Sequence, residues 1–359
     1  MKVLYLINYA GSGGSERYVE LLVGYYHNNK ASCGLCYNVA GPLVEKMKAL
    51  GIPVHQLPMR NPLDLSAAKK LAALVKKEGY DVIHAQYPRE NYIAILAKLF
   101  GCKARVVFTS HLISEQPPVW RLLNRLFTPH DHAVLTVCTY GKEVLERGGV
   151  AKDKIRIVFN GVDASSAPER DRSVLREFGI REEEKVITIL TRFSEEKGVP
   201  FLLRSIARLK EMTAVPFRLL LVGTGPDFDR DKALLPQLGI EDKVVLTGFR
   251  TDTAKLLAAS DIYLNSSSSE AMSFAILEAM GAGLPLVLTD VGGNPELVNT
   301  GSVSGLLAPY GDEDAYAAAI ASLLEDDGLR TRYAAAARDK ARREFDLYNL
   351  LDKLFEIYK

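Results

Sequence analysis

The sequence predicts an α/β protein made of two doubly wound domains that face each other. Three observations lead there. Short apolar runs alternate with amphipathic stretches along nearly the whole chain, the pattern of a parallel sheet covered on both faces. At 359 residues there is room for two full cores. One segment rich in turn residues and charges, Asn160-Gly-Val-Asp-Ala-Ser-Ser-Ala-Pro168-Glu-Arg-Asp, interrupts the alternation, which then restarts.

Taken in order, strands are expected at 3–8, 32–38, 54–57, 82–86, 106–110, 134–138 and 155–159, with helices at 15–27, 66–77, 91–100 and 140–147. Beyond the interruption, strands follow at 186–191, 218–222, 244–247, 262–265, 286–288 and 305–307. Helical periodicity falls there at 200–211, 253–259, 273–280 and 315–324. An alanine-rich run at 333–343 is strongly helical, and 348–358 forms a final amphipathic helix. The resulting limits are a first domain at 1–163, a linker at 164–184, a second domain at 185–343 and a C-terminal helix at 344–359. Ligands of such sheets bind where the carboxyl ends of strands feed helix N-termini. Two facing domains would set their sites across a common cleft, which suits an enzyme that joins two substrates.

Composition excludes several classes. The net charge is +1, from 45 basic and 44 acidic residues spread along the chain, which argues against a nucleic-acid binder acting through bulk charge. Residues 1–8 are too short for a signal-peptide core, and no apolar run reaches bilayer length, so a cytoplasmic protein is expected. Cys33-Gly-Leu-Cys36 has redox-motif spacing but lies in a strand-like segment, so Cys33 and Cys36, with Cys102 and Cys138, read as reduced core thiols. Asp227, Asp229 and Asp231 could suggest a divalent-ion site, but they sit where a charged helix begins and the helix dipole favours acids there. No metal and no cofactor are expected.

The most informative stretch is Asn265-Ser-Ser-Ser-Ser-Glu270-Ala-Met-Ser-Phe-Ala-Ile-Leu-Glu278-Ala-Met-Gly. Residues 274–280 are apolar except Glu278, so the helix reads as buried on most sides and its carboxylate needs a polar partner. Ser273 is a candidate cap, leaving N–H groups nearby for an anion. A phosphate there and a ribose at Glu278 suit a nucleotide, with Glu270 beyond the phosphate beside a transferred group. A buried carboxylate paired with a neighbouring cation is the alternative. Arg192 and Lys197 flank a strand-to-helix loop, a position suited to neutralising a diphosphate or simply to a solvated surface. Gly223 and Gly225 follow a strand and permit close approach, though the full dinucleotide fingerprint is absent. The loop Gly11-Ser-Gly13-Gly14-Ser15-Glu16 has similar logic. His84 and His111 end strands of one sheet, either as core histidines or as site residues. Residues 120–127 interleave Arg with bulky apolar side chains, fitting a membrane surface or an internal helix.

Together these segments resemble the retaining glycosyltransferases of family 4, which have the GT-B fold of two Rossmann-like domains. The most specific match is Glu270 to Glu278, the family's Glu-x7-Glu signature, continuing into Thr289-Asp-Val-Gly-Gly-Asn-Pro-Glu296. The resemblance implies that Arg192 and Lys197 bind the donor diphosphate, assisted by Gly14 and by Met272, Ser273 and Phe274 at the helix start. It further implies Glu278 on the ribose, Glu270 and His111 on the donor sugar, and Phe249 and Arg250 near the base. Gly13, Gly223 and Gly225 fall on the donor side by the same carry-over, and Glu16 and His84 on the acceptor side. The chain departs from the family at Ala271 and Phe274, where Gly and Asn are common in one variant, and at Leu112, where Asp often follows the histidine.

The implied activity is metal-independent, retaining transfer of a sugar from a nucleoside diphosphate donor, with UDP the default, to an acceptor hydroxyl. The acceptor would be a glycan, a lipid-linked group or a small molecule, with peripheral contact at the inner membrane surface. The alternatives are a nucleotide-sugar epimerase or hydrolase on the same fold, and a non-catalytic nucleotide-sugar-binding protein.

Overall fold

A computed structural model of the chain describes residues 1–11, 13–28, 32–111, 113 and 117–359. It divides into two units, Met1–Asn160 with Asn349–Lys359, and Gly161–Tyr348. The first unit begins β1 (Lys2–Tyr9), α1 (Gly14–Asn28), β2 (Ser32–Val39), α2 (Pro42–Ala49), β3 (Val54–Gln56) and α3 (Leu65–Glu78). It continues β4 (Val82–Ala85), α4 (Pro88–Ala97), β5 (Arg105–Ser110), α5 (Pro118–Phe127), β6 (Ala133–Thr136), α6 (Thr139–Arg147) and β7 (Ile155–Ile157). Its strands form one parallel sheet in the order β3-β2-β1-β4-β5-β6-β7. Leu4, Tyr5, Leu6 and Ile7 of the central β1 are wholly buried, as a strand covered on both faces requires.

The second unit carries β8 (Lys185–Leu190), α7 (Val199–Met212), β9 (Phe217–Val222), α8 (Phe228–Lys232), α9 (Leu234–Leu238), β10 (Val244–Gly248) and α10 (Thr253–Ala259). It continues β11 (Ile262–Asn265), α11 (Phe274–Ala282), β12 (Leu286–Thr289), α12 (Asn294–Asn299), β13 (Gly305–Ala308), α13 (Glu313–Glu325) and α14 (Asp327–Arg343). This sheet is also parallel, in the order β10-β9-β8-β11-β12-β13. Its core packs Ile187, Ile189, Leu219 and Leu264 of the strands against Phe201, Ile206 and Tyr316 of α7 and α13.

Each sheet therefore has one point at which the strand order reverses direction, between β1 and β4 in the first and between β8 and β11 in the second. Crevices outside the carboxyl ends of such strand pairs are where doubly wound sheets take ligands.

The chain ends in α15 (Leu347–Tyr358), whose last turns pack on the first unit. Tyr25 bonds Asp352, Arg105 Nη1 donates to Tyr358 O at 2.8 Å, and the Tyr26 and Phe355 rings lie 5.7 Å apart.

The strands lie within two residues of the sequence reading. Helices differ more. The stretch read as a helix at 91–100 starts at Pro88 and gives way to a 3₁₀ turn over Lys98–Phe100. The segment read as linker holds 3₁₀ turns at Ala164–Ser166 and Arg172–Phe178, each begun by an aspartate whose side chain accepts a backbone N–H, from Ser165 and from Ser173.

Candidate active site

The reversal point of the second sheet is built from two loops locked to each other. After β8 the chain runs through Arg192 and Ser194 into a 3₁₀ turn, Glu195–Lys197, that ends on Gly198 at φ 63°. A Cβ on Gly198 would lie 2.1 Å from Ser266 O, so only glycine allows this approach. Ser266 Oγ donates to Lys197 O at 2.9 Å, and Ser268 N donates to Glu196 O at 2.9 Å. These bonds tie the loop after β8 to the loop after β11.

Between them Lys197 Nζ meets Glu270 Oε2 at 2.8 Å, with the carboxylate side chain only 11% exposed. Ser267 Oγ donates to the same oxygen at 3.0 Å, and Asn265 Nδ2 reaches it at 3.5 Å. Glu270 O accepts from Gly293 N at 3.0 Å, which fixes the backbone as well. Beneath lies a buried polar layer. Asn294 Nδ2 donates to Asn265 Oδ1 and Thr289 O, Thr289 Oγ1 to Ser267 O, and Tyr316 OH to Asn265 O. A carboxylate held by three side-chain donors and a second layer of bonds is preorganised, as transition-state stabilisation demands.

Arg192 stands beside this pair, but its Nη2 contacts Glu196 Oε1 at 2.7 Å. Burial would raise Glu196; hydrogen bonds from Ser194 and Arg192 outweigh it and hold the carboxyl at about 2. Such an exposed pair is worth roughly 0–1 kcal/mol and exchanges readily for a stronger anion. Gly223 and Gly225 serve the backbone beside this same loop. Cβ atoms there would fall 1.8 Å from Thr191 O and 2.2 Å from Phe193 O, so these glycines seat the loop after β9 against the loop that carries Arg192.

Two expectations about α11 are corrected. Ser273 occupies the N-cap position without a side-chain capping bond. Glu278 is half-buried, not enclosed, because α11 is open along one stripe that it shares with Phe274, Ala275 and Ala282. Met272 is buried. At the end of β10, Phe249 is 74% exposed and free to stack on a base, whereas Arg250 is held by Glu177 at 2.9 Å and Asp252 at 2.8 Å.

In the first unit Glu16 is buried, and its Oε2 accepts from Gly13 N at 2.9 Å and from Ser15 Oγ at 3.0 Å. That is the reciprocal bond of a capping box closing the N-terminus of α1 at Gly14, so Glu16 serves as a structural cap there. His84 is likewise a core histidine. It is fully buried, with Nδ1 at 2.5 Å from Tyr358 OH and Nε2 at 2.7 Å from Thr109 Oγ1, and burial lowers it to about 3. Both nitrogens are committed, which leaves no edge for an acceptor. His111 is half-buried at the end of β5, its Nε2 at 2.9 Å from Gln86 Oε1, and burial lowers it to about 4. It borders a small hollow with Gln86, Tyr87 and Ser110. Because Nε2–H is spent on Gln86 Oε1, an imidazole kept neutral there has Nδ1 left to accept one hydrogen bond from a sugar hydroxyl. Leu112 lies outside the described residues.

Cys33 and Cys36 are buried in β2, where burial pushes their thiols up to about 11 and 12 and makes them unreactive. Asp227 and Asp231 are paired with Arg230, at 3.1 Å and 2.9 Å. Among the described residues no cluster of three or more potential metal ligands occurs.

The chain is 32% identical over 307 residues to N-acetyl-alpha-D-glucosaminyl L-malate synthase of Bacillus anthracis, covering 83% of this chain and 79% of that one. The Glycosyltransferase Family 4 domain matches residues 12–166, and the Glycosyl transferases group 1 domain matches residues 171–340. The chain belongs to glycosyltransferase family 4. A Campylobacter jejuni relative, N-acetylgalactosamine-N,N'-diacetylbacillosaminyl-diphospho-undecaprenol 4-alpha-N-acetylgalactosaminyltransferase, is 26% identical over 357 residues, 92% of each chain. In fold this glycosyltransferase matches the crystal structure of Anabaena Alr3699/HepE in complex with UDP and glucose, with a TM-score of 0.86 at 22% identity over 99% of this chain and 98% of that one. The fold is GT-B.

The sequence reading of this glycosyltransferase singled out Lys197 and Glu270 but gave no role to Asn265, Ser267, Thr289, Asn294 or Tyr316. The one local signal was the polar run 265–269 at the end of a buried strand.

Proposed function

We propose that this glycosyltransferase moves a hexose from a UDP-sugar to an acceptor hydroxyl with retention of configuration, without a metal ion, in glycan or glycolipid synthesis. The observation that carries the reading is the Lys197–Glu270 pair at the reversal point of the second sheet. In the free protein each neutralises the other. With donor bound, Lys197 turns to the diphosphate with Arg192, and Glu270 accepts from sugar hydroxyls beside the reacting carbon. Glu278 takes the ribose, Phe249 the base, and His111 the sugar.

The bond from the sugar C1 to the diphosphate oxygen breaks as the acceptor oxygen adds to the same face, and the acceptor proton passes to the leaving phosphate oxygen. Positive charge on the ring and negative charge on the diphosphate both grow in this step, and Glu270 and the two cations would stabilise them in turn. Glu270 positions the sugar without bonding to it. A glycosyl adduct trapped on Glu270 and seen by mass spectrometry would overturn that.

The test of the donor assignment is thermal unfolding with UDP-, GDP- and ADP-sugars. A donor at about 100 times its Kd stabilises by about 2.7 kcal/mol. We expect a UDP-selective shift that Lys197→Ala removes, while the variant's own melting temperature stays near wild type. Equal shifts for all three bases, or a shift that survives in Lys197→Ala, would refute the assignment.

Peripheral membrane contact belongs to the same proposal. No helix among the described residues is long and apolar enough to cross a membrane. On α5, however, Val119, Leu122 and Leu126 are 59%, 58% and 58% exposed, Arg121 and Arg125 are exposed beside them, and the helix has no acid. An apolar stripe flanked by arginines lies in an anionic lipid interface. The protein is expected to co-sediment with vesicles containing phosphatidylglycerol, and Leu122→Glu with Leu126→Glu to lower the bound fraction several-fold. Equal binding to purely zwitterionic vesicles would remove the role of the arginines.

A further inference from the structure

The reversal point of the first sheet holds an unclaimed set of donors. Asn8 lies near the carboxyl end of β1, and Arg89 is the second residue of α4, just past β4, so both border the crevice where such a sheet takes a ligand. Arg89 Nη1 donates to Asn8 Oδ1 at 3.2 Å and leans on Met59 O at 3.4 Å. Asn38 Nδ2 donates to the same Asn8 oxygen at 2.8 Å and to Met59 O at 3.3 Å, while Met59 N donates back to Asn38 Oδ1 at 2.9 Å. Two donors on Asn8 Oδ1 settle which end of that amide is oxygen. Its Nδ2 therefore points away from them.

Among the described residues, Asn8 Nδ2 and the Nε and Nη2 of Arg89 meet no acceptor, and no carboxylate pairs with this half-buried guanidinium. The acids of the surrounding loops are committed elsewhere. Glu16 closes the cap of α1, and Asp64 is held by Arg60 at 3.0 Å. Glu90, next in sequence, is turned into the core, with neither oxygen bonded and burial pushing the carboxyl up to about 7. The Nε–Nη2 edge of an arginine is the fork that takes a carboxylate or phosphate in two parallel hydrogen bonds. Here that fork is held in place by neutral oxygens that leave its charge unspent.

We infer that Arg89 and Asn8 bind an anionic group, carboxylate or phosphate, on the acceptor, and so determine the acceptor class of the sugar transfer on whose assignment this inference rests. Lys197 and Glu270 would serve the donor from the second unit, and the crevice at Arg89 would select what receives the sugar.

The test is isothermal titration of the full chain, with and without UDP, using malate, inositol 1-phosphate and uncharged inositol as probes. Wild type is expected to bind at least one of the two anions and to prefer inositol 1-phosphate over inositol. Arg89→Gln should weaken the anion roughly tenfold or more, and Arg89→Lys should recover part of the loss, since it restores charge without the fork. Preference for malate over the phosphate would mark a carboxylate acceptor, and the reverse a phosphorylated one. The inference falls if Arg89→Gln binds the anions as wild type does, or if neither anion binds, with or without UDP. Failure of UDP itself to bind would count against the donor assignment alone, because anion binding at Arg89 is measured separately.

Discussion

Glu270→Gln is expected to lower sugar transfer by roughly 10³-fold while changing donor affinity less than tenfold. The substitution keeps the shape of the side chain, so Ser267 and Asn265 still find an oxygen to donate to. It removes the negative charge that faces the ring as C1 becomes cationic, an interaction stronger in the transition state than in the ground state. Lys197 loses its partner in the free protein, but its side chain is 26% exposed and water takes the place of the carboxylate. Melting should therefore move by no more than a few degrees. Single-turnover transfer and equilibrium donor binding on the same samples separate the two effects. Retention of more than a tenth of wild-type transfer would show that Glu270 has no special place beside the reacting carbon.

The sheets were legible because fully buried parallel strands are nearly continuous runs rich in Val, Ile and Leu, repeated along the chain with amphipathic stretches between them. α2 was not read, since Gly41-Pro42 resembles a turn; in the fold that proline opens the first turn of a helix. Lys197 and Glu270 were legible as charges at strand ends. The residues that aim Glu270 were not, because their meaning is non-local. Asn294 acts by reaching Asn265, 29 positions earlier, and nothing near it in sequence says so. His84 shows the same limit from the other side. Its position at the end of a strand suggested a site, yet the hydroxyl that satisfies it comes from Tyr358, 274 residues away. Apolar residues nearly all around α11 told that it is buried on most sides, but not which stripe stays half-open; that stripe carries Ala275, Glu278 and Ala282.

The two sheets place opposite chemistry at equivalent points. In the second unit the reversal crevice holds a cation and a carboxylate that satisfy each other, so a ligand must separate them. In the first unit the crevice holds a cation supported only by neutral oxygens, which an anion meets at no such cost. The crevice of the second unit is thus self-neutralised, and that of the first unit carries an unpaired cation among the described residues. The two sites should respond differently to salt, with anion binding at Arg89 weakening more steeply as ionic strength rises.

Asp131→Asn should stabilise the first unit at pH 8 by on the order of 3 kcal/mol and change it far less near pH 4. Asp131 is buried, with Oδ2 accepting from Asn91 Nδ2 at 3.0 Å and Oδ1 meeting no donor. Burial, only partly offset by Asn91, Lys98 and Lys154, pushes the carboxyl up to about 8. A folded value above the unfolded one, near 4, means stability is full below pH 4 and is lost as pH climbs toward 8. Glu90, raised to about 7 by burial, adds a loss of the same sign. The buried His84 and His111 oppose both, because values lowered to about 3 and 4 give stability that is full above pH 6.5 and lost on acidification. The two pairs oppose one another between about pH 4 and 6.5, and above that only the acids still act. The substitution removes the larger of them and gives position 131 a donor for Asn91 Oδ1, which now has none. Trp120, the only tryptophan, lies in the first unit, so its fluorescence in denaturant titrations at pH 4.5, 6.5 and 8 follows that unit's unfolding. A gain that grows with pH supports the buried acid as the origin of the alkaline loss. An equal change at all three values, or a loss at pH 8, would mean that Asp131 is ionised in the fold and would overturn the buried acid as the origin of the alkaline loss.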